Sequence, residues 1–318
     1  MNAGRKDNRV LLLGYAAVIV TSLLLGLFPS VSKPIMTTVN PLFFTSIVSL
    51  APIVVFTPLL LTGRRKVQQA KPTTGRRIYG IVAASSMVGG VIGPIAYFNG
   101  PQTTPASDAA LLANGEMVFT IVLASFFFRE KMNRTGLLAV TLVSIGVIVI
   151  ASNLSFSRSV LNFTEIGHLL ILFSGLCWGL DNNIITSASE KIDVVKFIQI
   201  RSTITGPILF FLAFVFSAFP SRSSPPIGIS GYAYIFFIGL LVFGGALYFN
   251  FLALKELGAI RSTLIFPISS IFGLIAAFIL LHESIGVYQI ISVGVILLGI
   301  YLLTRSESVR KEASYDLP

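Results

Sequence analysis

Ten runs of apolar residues, each long enough to cross a bilayer, follow one another along this 318-residue chain with only short polar connections between them. A membrane-spanning helix needs roughly 20 apolar residues. The runs fall at about 10–33, 41–62, 78–99, 106–128, 135–152, 166–188, 194–217, 231–253, 259–281 and 286–304. Composition agrees: charged residues make up only 11% of the chain, against roughly 25% in a soluble domain. The longest polar segments, about 63–77, 153–165, 218–230 and the tail from Arg305, are too short to hold a folded domain. The expected fold class is therefore an all-α integral membrane protein of about ten transmembrane helices, with any chemistry inside the bundle.

Basic residues orient the chain. The formal net charge of +10 suggests nucleic acid at first sight, but the lysines and arginines sit in short loops between apolar runs, so no nucleic acid partner is expected. With the N-terminus in the cytoplasm, about 19 of the 23 fall on the cytoplasmic side, three on the other, and Arg201 within a span. Both termini are then cytoplasmic, which requires an even number of spans and agrees with ten in a plasma membrane. Arg5, Lys6 and Arg9 before an apolar stretch resemble a signal peptide. That stretch, about 10–31, is longer than a cleavable core of roughly 7–15 residues, so it reads as a retained first helix. Cys177 is the only cysteine, which excludes an intrachain disulfide and a thiolate metal cluster.

The chain also repeats. A shift of about 153 residues superposes Gly26 on Gly179, Phe44 on Phe197, Phe119 on Phe272, Glu130 on Glu283 and Gly146 on Gly299. Tyr97-Phe98-Asn99 meets Tyr248-Phe249-Asn250 at a shift about two residues smaller. The repeats divide the chain into residues 1–152 and 153–304, followed by a cytoplasmic tail, 305–318. Five spans per half is an odd number, so the second half enters the membrane inverted. Inverted repeats allow inward- and outward-open conformations around one central site.

Phe128-Arg129-Glu130-Lys131 through Gly146, its repeat Leu281-His282-Glu283 through Gly299, and Cys177-Trp178-Gly179 with Asn182 together resemble the EamA-type members of the drug/metabolite transporter superfamily. The resemblance spans about 11–304 and is specific for fold and topology. It implies that helices 1–4 and 6–9 surround a central cavity, with helices 5 and 10 at the periphery. Pro267 matches the family's helix-distorting proline, but its repeat partner is Asn114, so Asn114-Gly115-Glu116 departs from the pattern and puts a carboxylate near mid-membrane.

Polar residues inside the apolar runs are the candidate site. An ionisable group at the bilayer centre costs roughly 2.5–3.5 kcal/mol on insertion scales and normally faces the bundle interior. Glu116 lies roughly 15 Å deep at about 1.5 Å per residue. It reads as a substrate-amine or proton-coupling group, against a structural carboxylate bonded to a neighbouring helix. Asp181 and Arg201 share a depth and form a candidate pair, either a fixed pin between helices 6 and 7 or a gate. Lys33 and Asp108 form a second candidate pair at the outer ends of helices 1 and 4, with an interfacial snorkelling pair as the plainer reading. Tyr97, Asn99, Tyr248 and Asn250, related by the repeat, together with Asn114 and Trp178, are expected to line the cavity; interhelical hydrogen-bond glue is the alternative. Gly89-Gly90 and Gly244-Gly245 read as close helix packing, and Glu130 and Glu283 as structural.

No catalytic, metal or cofactor site is expected. His168 and His282 lie far apart in sequence with no nearby cluster at metal-ligand spacing, and no Gly-rich run ends in a phosphate-loop Lys-Ser/Thr. The expected function is a secondary transporter, an exporter, of small polar metabolites such as amino acids or related compounds, working by alternating access. Glu116 with Arg201 or Lys33 would suit zwitterions. The competing classes are a passive channel, for which no ring of like charges is present, and an intramembrane enzyme on lipid-linked substrates, for which no acid–base set is found. A small-molecule substrate and membrane lipid are the expected partners, with oligomeric state, including a homodimer, left open. Asn153 and Asn162 begin sequons in an outer loop, and Asn133 one on the cytoplasmic side.

Overall fold

The computed structural model describes residues 3–61, 76–100, 104–127, 134–152, 166–189, 191–216, 218 and 228–315. Glu130, Asn133, Asn153 and Asn162 lie outside the described residues. All regular structure among the described residues is helical. The first half holds α1 (Ala3–Met36), α2 (Pro41–Leu61), α3 (Arg76–Ser85), α4 (Gly93–Asn99), α5 (Ala106–Leu112), α6 (Gly115–Phe127) and α7 (Arg134–Ser152), with a π-helical turn, Ser86–Ile92, joining α3 to α4. The second half holds α8 (Ile166–Ala188), α9 (Val194–Val215), α10 (Ile229–Gly239), α11 (Leu247–Ile265), α12 (Ile268–Leu281) and α13 (Val287–Tyr315). There the π-helical turn, Leu240–Ala246, joins α10 to α11.

Seven segments are long and apolar enough to cross a membrane, and three shorter apolar helices, Val140–Ile150, Ile268–Leu281 and Val287–Gly299, accompany them. The distribution of side chains is that of a protein solvated by lipid. Phe126, Phe211, Phe214, Ile229 and Val287 are exposed, while Thr21, Ser46, Ser86, Ser174 and Thr205 are buried. Many buried hydroxyls donate back to a carbonyl one turn earlier, as Thr21 does to Ala17 (2.9 Å) and Ser86 to Val82 (2.7 Å). Their hydrogen bonds are thereby completed where no bulk water is available.

Local chemistry sets the breaks. Asp193 caps α9, its carboxylate accepting from the Val195 and Lys196 amides. Gly258 interrupts α11 at φ 80°, ψ 169°, a conformation that L side chains avoid. The stretch from Ala259 onward therefore turns away as the start of a further helix, which breaks again at Phe266-Pro267. The first half breaks at the repeat-related place, between α5 and α6, without a proline. Asn114 stands there, and its side-chain amide donates to the Leu111 carbonyl (2.8 Å) and to Ser270 of α12. A hydrogen-bonding side chain thus supports in one half the break that proline imposes in the other.

The halves interlock. α1 packs on α11 and α12, while α8 packs on α4 and α6; α2 pairs with α9 and α7 with α13. Two close approaches are related by the repeat: at Gly26 a Cβ would meet Phe272 of α12, and at Gly179 it would meet Phe119 of α6. Only hydrogen fits at either crossing. A core containing Phe28, Phe44, Tyr97, Phe98, Leu111 and Ile235 draws on both halves and lies beside the cavity described next.

Candidate functional site

A cavity of about 120 Å³ lies between the halves. Its wall is mostly apolar, including Leu25, Phe28, Phe98, Val242, Phe243 and Phe266, and its charged residues are Glu116, Asp181 and Arg201. Tyr97, Trp178, Asn182, Asn250 and Ser269 complete the polar part.

The carboxylate is held from the opposite half. Asn182 of α8 donates from Nδ2 to Glu116 Oε1 at 2.7 Å, and Asn250 of α11 donates to Asn182 Oδ1 at 3.2 Å. The two asparagines form a neutral relay that orients Glu116. Among the described residues no cationic side chain pairs with it. Glu116 also borders a second, much smaller void of about 10 Å³ with Leu254 and Ser262.

Asp181 and Arg201 form a buried ion pair, Nη1 to Oδ2 at 2.6 Å, with side chains only 5% and 8% exposed. Ser85, the last residue of α3, closes the triangle. It accepts from Arg201 Nη1 at 2.7 Å and donates to Asp181 Oδ1. The π-helical turn is what admits this network. Gly89 lies so close to the Asp181 carboxylate, and Gly90 to Thr205, that a Cβ at either would overlap them. The wider turn leaves the Gly89 carbonyl open to the Trp178 indole, which donates to it at 3.1 Å. Trp178 also packs on Tyr97, with ring centroids 5.1 Å apart. Gly89, expected with Gly90 as close packing, therefore belongs to the cavity wall as well.

Several expected site residues stand elsewhere. Asn99 does not line the cavity: it is exposed and donates to its own helix at Ile95 (2.7 Å), because it lies near the end of α4 on the face turned away. Tyr248 packs against Phe56 and Phe249 instead, on the side of α11 away from Asn250. Asn114 is withdrawn into the α5–α6 break. Lys33 does not pair with Asp108. Its Nζ reaches Glu283 Oε1 at 3.0 Å and the Thr104 carbonyl at 3.2 Å. Asp108 accepts instead from Gln289 Nε2 at 2.6 Å, with the Tyr288 hydroxyl at 3.4 Å.

The reason lies at the start of α5. Pro105 occupies its cap position and has no side chain able to satisfy the first amides. Glu283, from the α12–α13 connection, does so across the repeat boundary, accepting from the Ala106 and Ser107 amides (both 3.0 Å) and the Ser107 hydroxyl (2.8 Å). Partial burial raises the Glu283 pKa, but these donors and Lys33 outweigh it and hold the carboxyl below the usual glutamate range. Gln289, the only amide in the last apolar run, was a usable signal in the sequence; Ser85, one serine among many, was not. His168 is buried in α8 and His282 ends α12 in a left-handed turn. No metal-binding group of three or more His, Cys, Asp or Glu residues occurs among the described residues.

The model of the EamA-like transporter family matches residues 12–152 and again 165–305. The chain belongs to the EamA-like transporter family. Similar proteins carry the same general description: an uncharacterized transporter of Methanothermobacter thermautotrophicus is 27% identical over 302 residues, covering 91% of this chain and 85% of its own. The uncharacterized transporter YyaM of Bacillus subtilis is 27% identical over 236 residues, covering 72% and 74%. A crystal structure at 14% identity superposes with a TM-score of 0.63 over 93% of this chain and 96% of its own, a likeness of fold. Two family matches, apolar spans and transporter-named relatives make this a multi-pass membrane protein of a transporter family.

Proposed function

We propose that this EamA-like protein is a secondary exporter that moves small polar metabolites through the central cavity by alternating access. The observation that carries this reading is a cavity walled by both halves, with Glu116 of the first half held by Asn182 of the second, which Asn250 supports in turn. A site shared in this way changes its exposure when one half rocks against the other. The Lys33–Glu283 pair, joined to the first amides of α5, would act as a latch at one mouth, and the Asp181–Arg201–Ser85 triangle as a brace between α3, α8 and α9. In this reading Lys33 and both chain termini face the outside and the cytoplasm respectively, in a plasma membrane.

The test compares intracellular and extracellular metabolites of cells expressing the protein with those carrying an empty vector. Saturable, protein-dependent release of a small polar compound is the expected result. Non-saturating conductance in planar bilayers would point to a channel, and no redistribution in cells or proteoliposomes would remove the transport reading.

A further inference from the structure

The same cavity specifies the charge of what it takes. Resting on the transport reading above, we propose that the substrate is a small amine cation with an apolar body and no carboxylate, bound by Glu116. Three charged side chains line the cavity, and two of them neutralise each other: Arg201 is engaged by Asp181 and Ser85, and Asp181 by Arg201 and Ser85. Lys33, the other cation expected to serve a substrate, is engaged by Glu283 and the Thr104 carbonyl. Glu116 is thus the one cavity charge without an ionic partner among the described residues, and among the residues that line the cavity the single cation, Arg201, is already paired. This replaces the zwitterion expected from residue types alone.

The carboxylate is oriented for a ligand. Asn182 engages Oε1, and Oε2 has no protein partner among the described residues. Trp178 stands four residues before Asn182 on α8, a rise of about 6 Å along the same helix face, and both line the cavity with Glu116. The bond from its indole to Gly89 fixes that ring against the cavity. An ammonium on Glu116 therefore comes within reach of an aromatic face, which attracts cations. Beyond it the wall is apolar, with Phe28, Val242 and Phe243. An apolar cavity of about 150 Å³ holds benzene, so the 120 Å³ here is on the scale of a single ring or a short branched chain.

Three probes sharing one ring separate the charge classes: benzylamine, phenylglycine and phenylacetate, which are cation, zwitterion and anion near neutral pH. Thermal stabilisation of the purified full-length protein reports binding, and uptake into proteoliposomes reports transport. Benzylamine should stabilise the protein and enter saturably. Phenylglycine and phenylacetate should bind at least tenfold more weakly. Glu116→Gln should weaken benzylamine at least tenfold, while Glu116→Asp keeps part of the affinity. Phenylglycine or phenylacetate binding as tightly as benzylamine would overturn the proposal, as would failure of all three to bind at millimolar concentration. If Glu116→Gln does not fold, the series on the wild-type protein decides alone. Benzylamine binding without uptake would uphold the cation site and sink transport; saturable uptake of phenylglycine with no binding of the amine would do the reverse.

Discussion

Charge placement at single residues carries the most direct consequences. Asp181 and Arg201 are both buried, so removing one partner leaves the other charged and unpaired. Breaking such a pair costs about 3–5 kcal/mol, whereas replacing both members by neutral residues is often tolerated. Asp181→Asn and Arg201→Met should each lower the melting temperature in detergent sharply, and the double variant should recover most of the loss. Equal melting of the single variants and the wild type would mean that the pair contributes nothing to stability. Glu283 gives a pH signature of a different kind. Its carboxyl lies below the ordinary glutamate value because it accepts from Ser107, Ala106 and Lys33. A depressed acid stabilises the fold above its unfolded value, about 4.3, and that contribution disappears as pH falls through the lowered one. Melting temperature should therefore drop on acidification through that range in the wild type and change less in Glu283→Gln.

Helix breaks are the feature of interest among the elements. The two π-helical turns stand in the third membrane segment of each half, and each leaves a carbonyl for the other half. Gly89 accepts from Trp178 of α8 at 3.1 Å, and Ala246 accepts from Thr21 of α1 at 3.4 Å. Gly258 shows the cost of such geometry most cleanly. Nothing lies within 4 Å of where its Cβ would stand, so a substitution there is strained by backbone alone. Gly258→Ala should destabilise the protein by about 1–3 kcal/mol, read as a lower melting temperature without loss of monodispersity. Gly179 presents the opposite case: its backbone is helical, but a Cβ would run into Thr120 and Phe119. Gly179→Ala should force α8 away from α6 and reduce both folded yield and binding at Glu116, which α6 carries. Normal yield and binding would show that the crossing can relax.

Orientation belongs to the molecule as a whole. Only the balance of lysines and arginines between the two sides speaks to it, and on that balance Asn153 and Asn162 are expected outside and Asn133 in the cytoplasm. Expressed in a glycosylating host, the protein should carry glycans at the first two sequons only. A glycan on Asn133 would invert the topology and with it the direction assigned to the Lys33–Glu283 latch. The repeat-related contacts of Gly26 with Phe272 and Gly179 with Phe119 hold whichever way the chain is inserted.

Membrane class, the internal repeat, the family resemblance and the inward placement of Glu116 were legible in the sequence, because each rests on a property of local composition or of linear order. Ten apolar runs exclude water as the solvent, and a carboxylate within one must face inward, whatever the packing. Which polar groups meet was a different matter. Depth alone put Lys33 beside Asp108, but the uncapped start of α5 after Pro105 drew in Glu283, and Gln289 took Asp108. Helical phase turned Asn99 and Tyr248 away from the cavity, and the packing of α8 on α6 brought Asn182, rather than a cation, to Glu116. Depth is a one-dimensional quantity that the chain encodes residue by residue. Partnership depends on rotation and crossing of helices from two distant halves, and it is decided only when those helices pack.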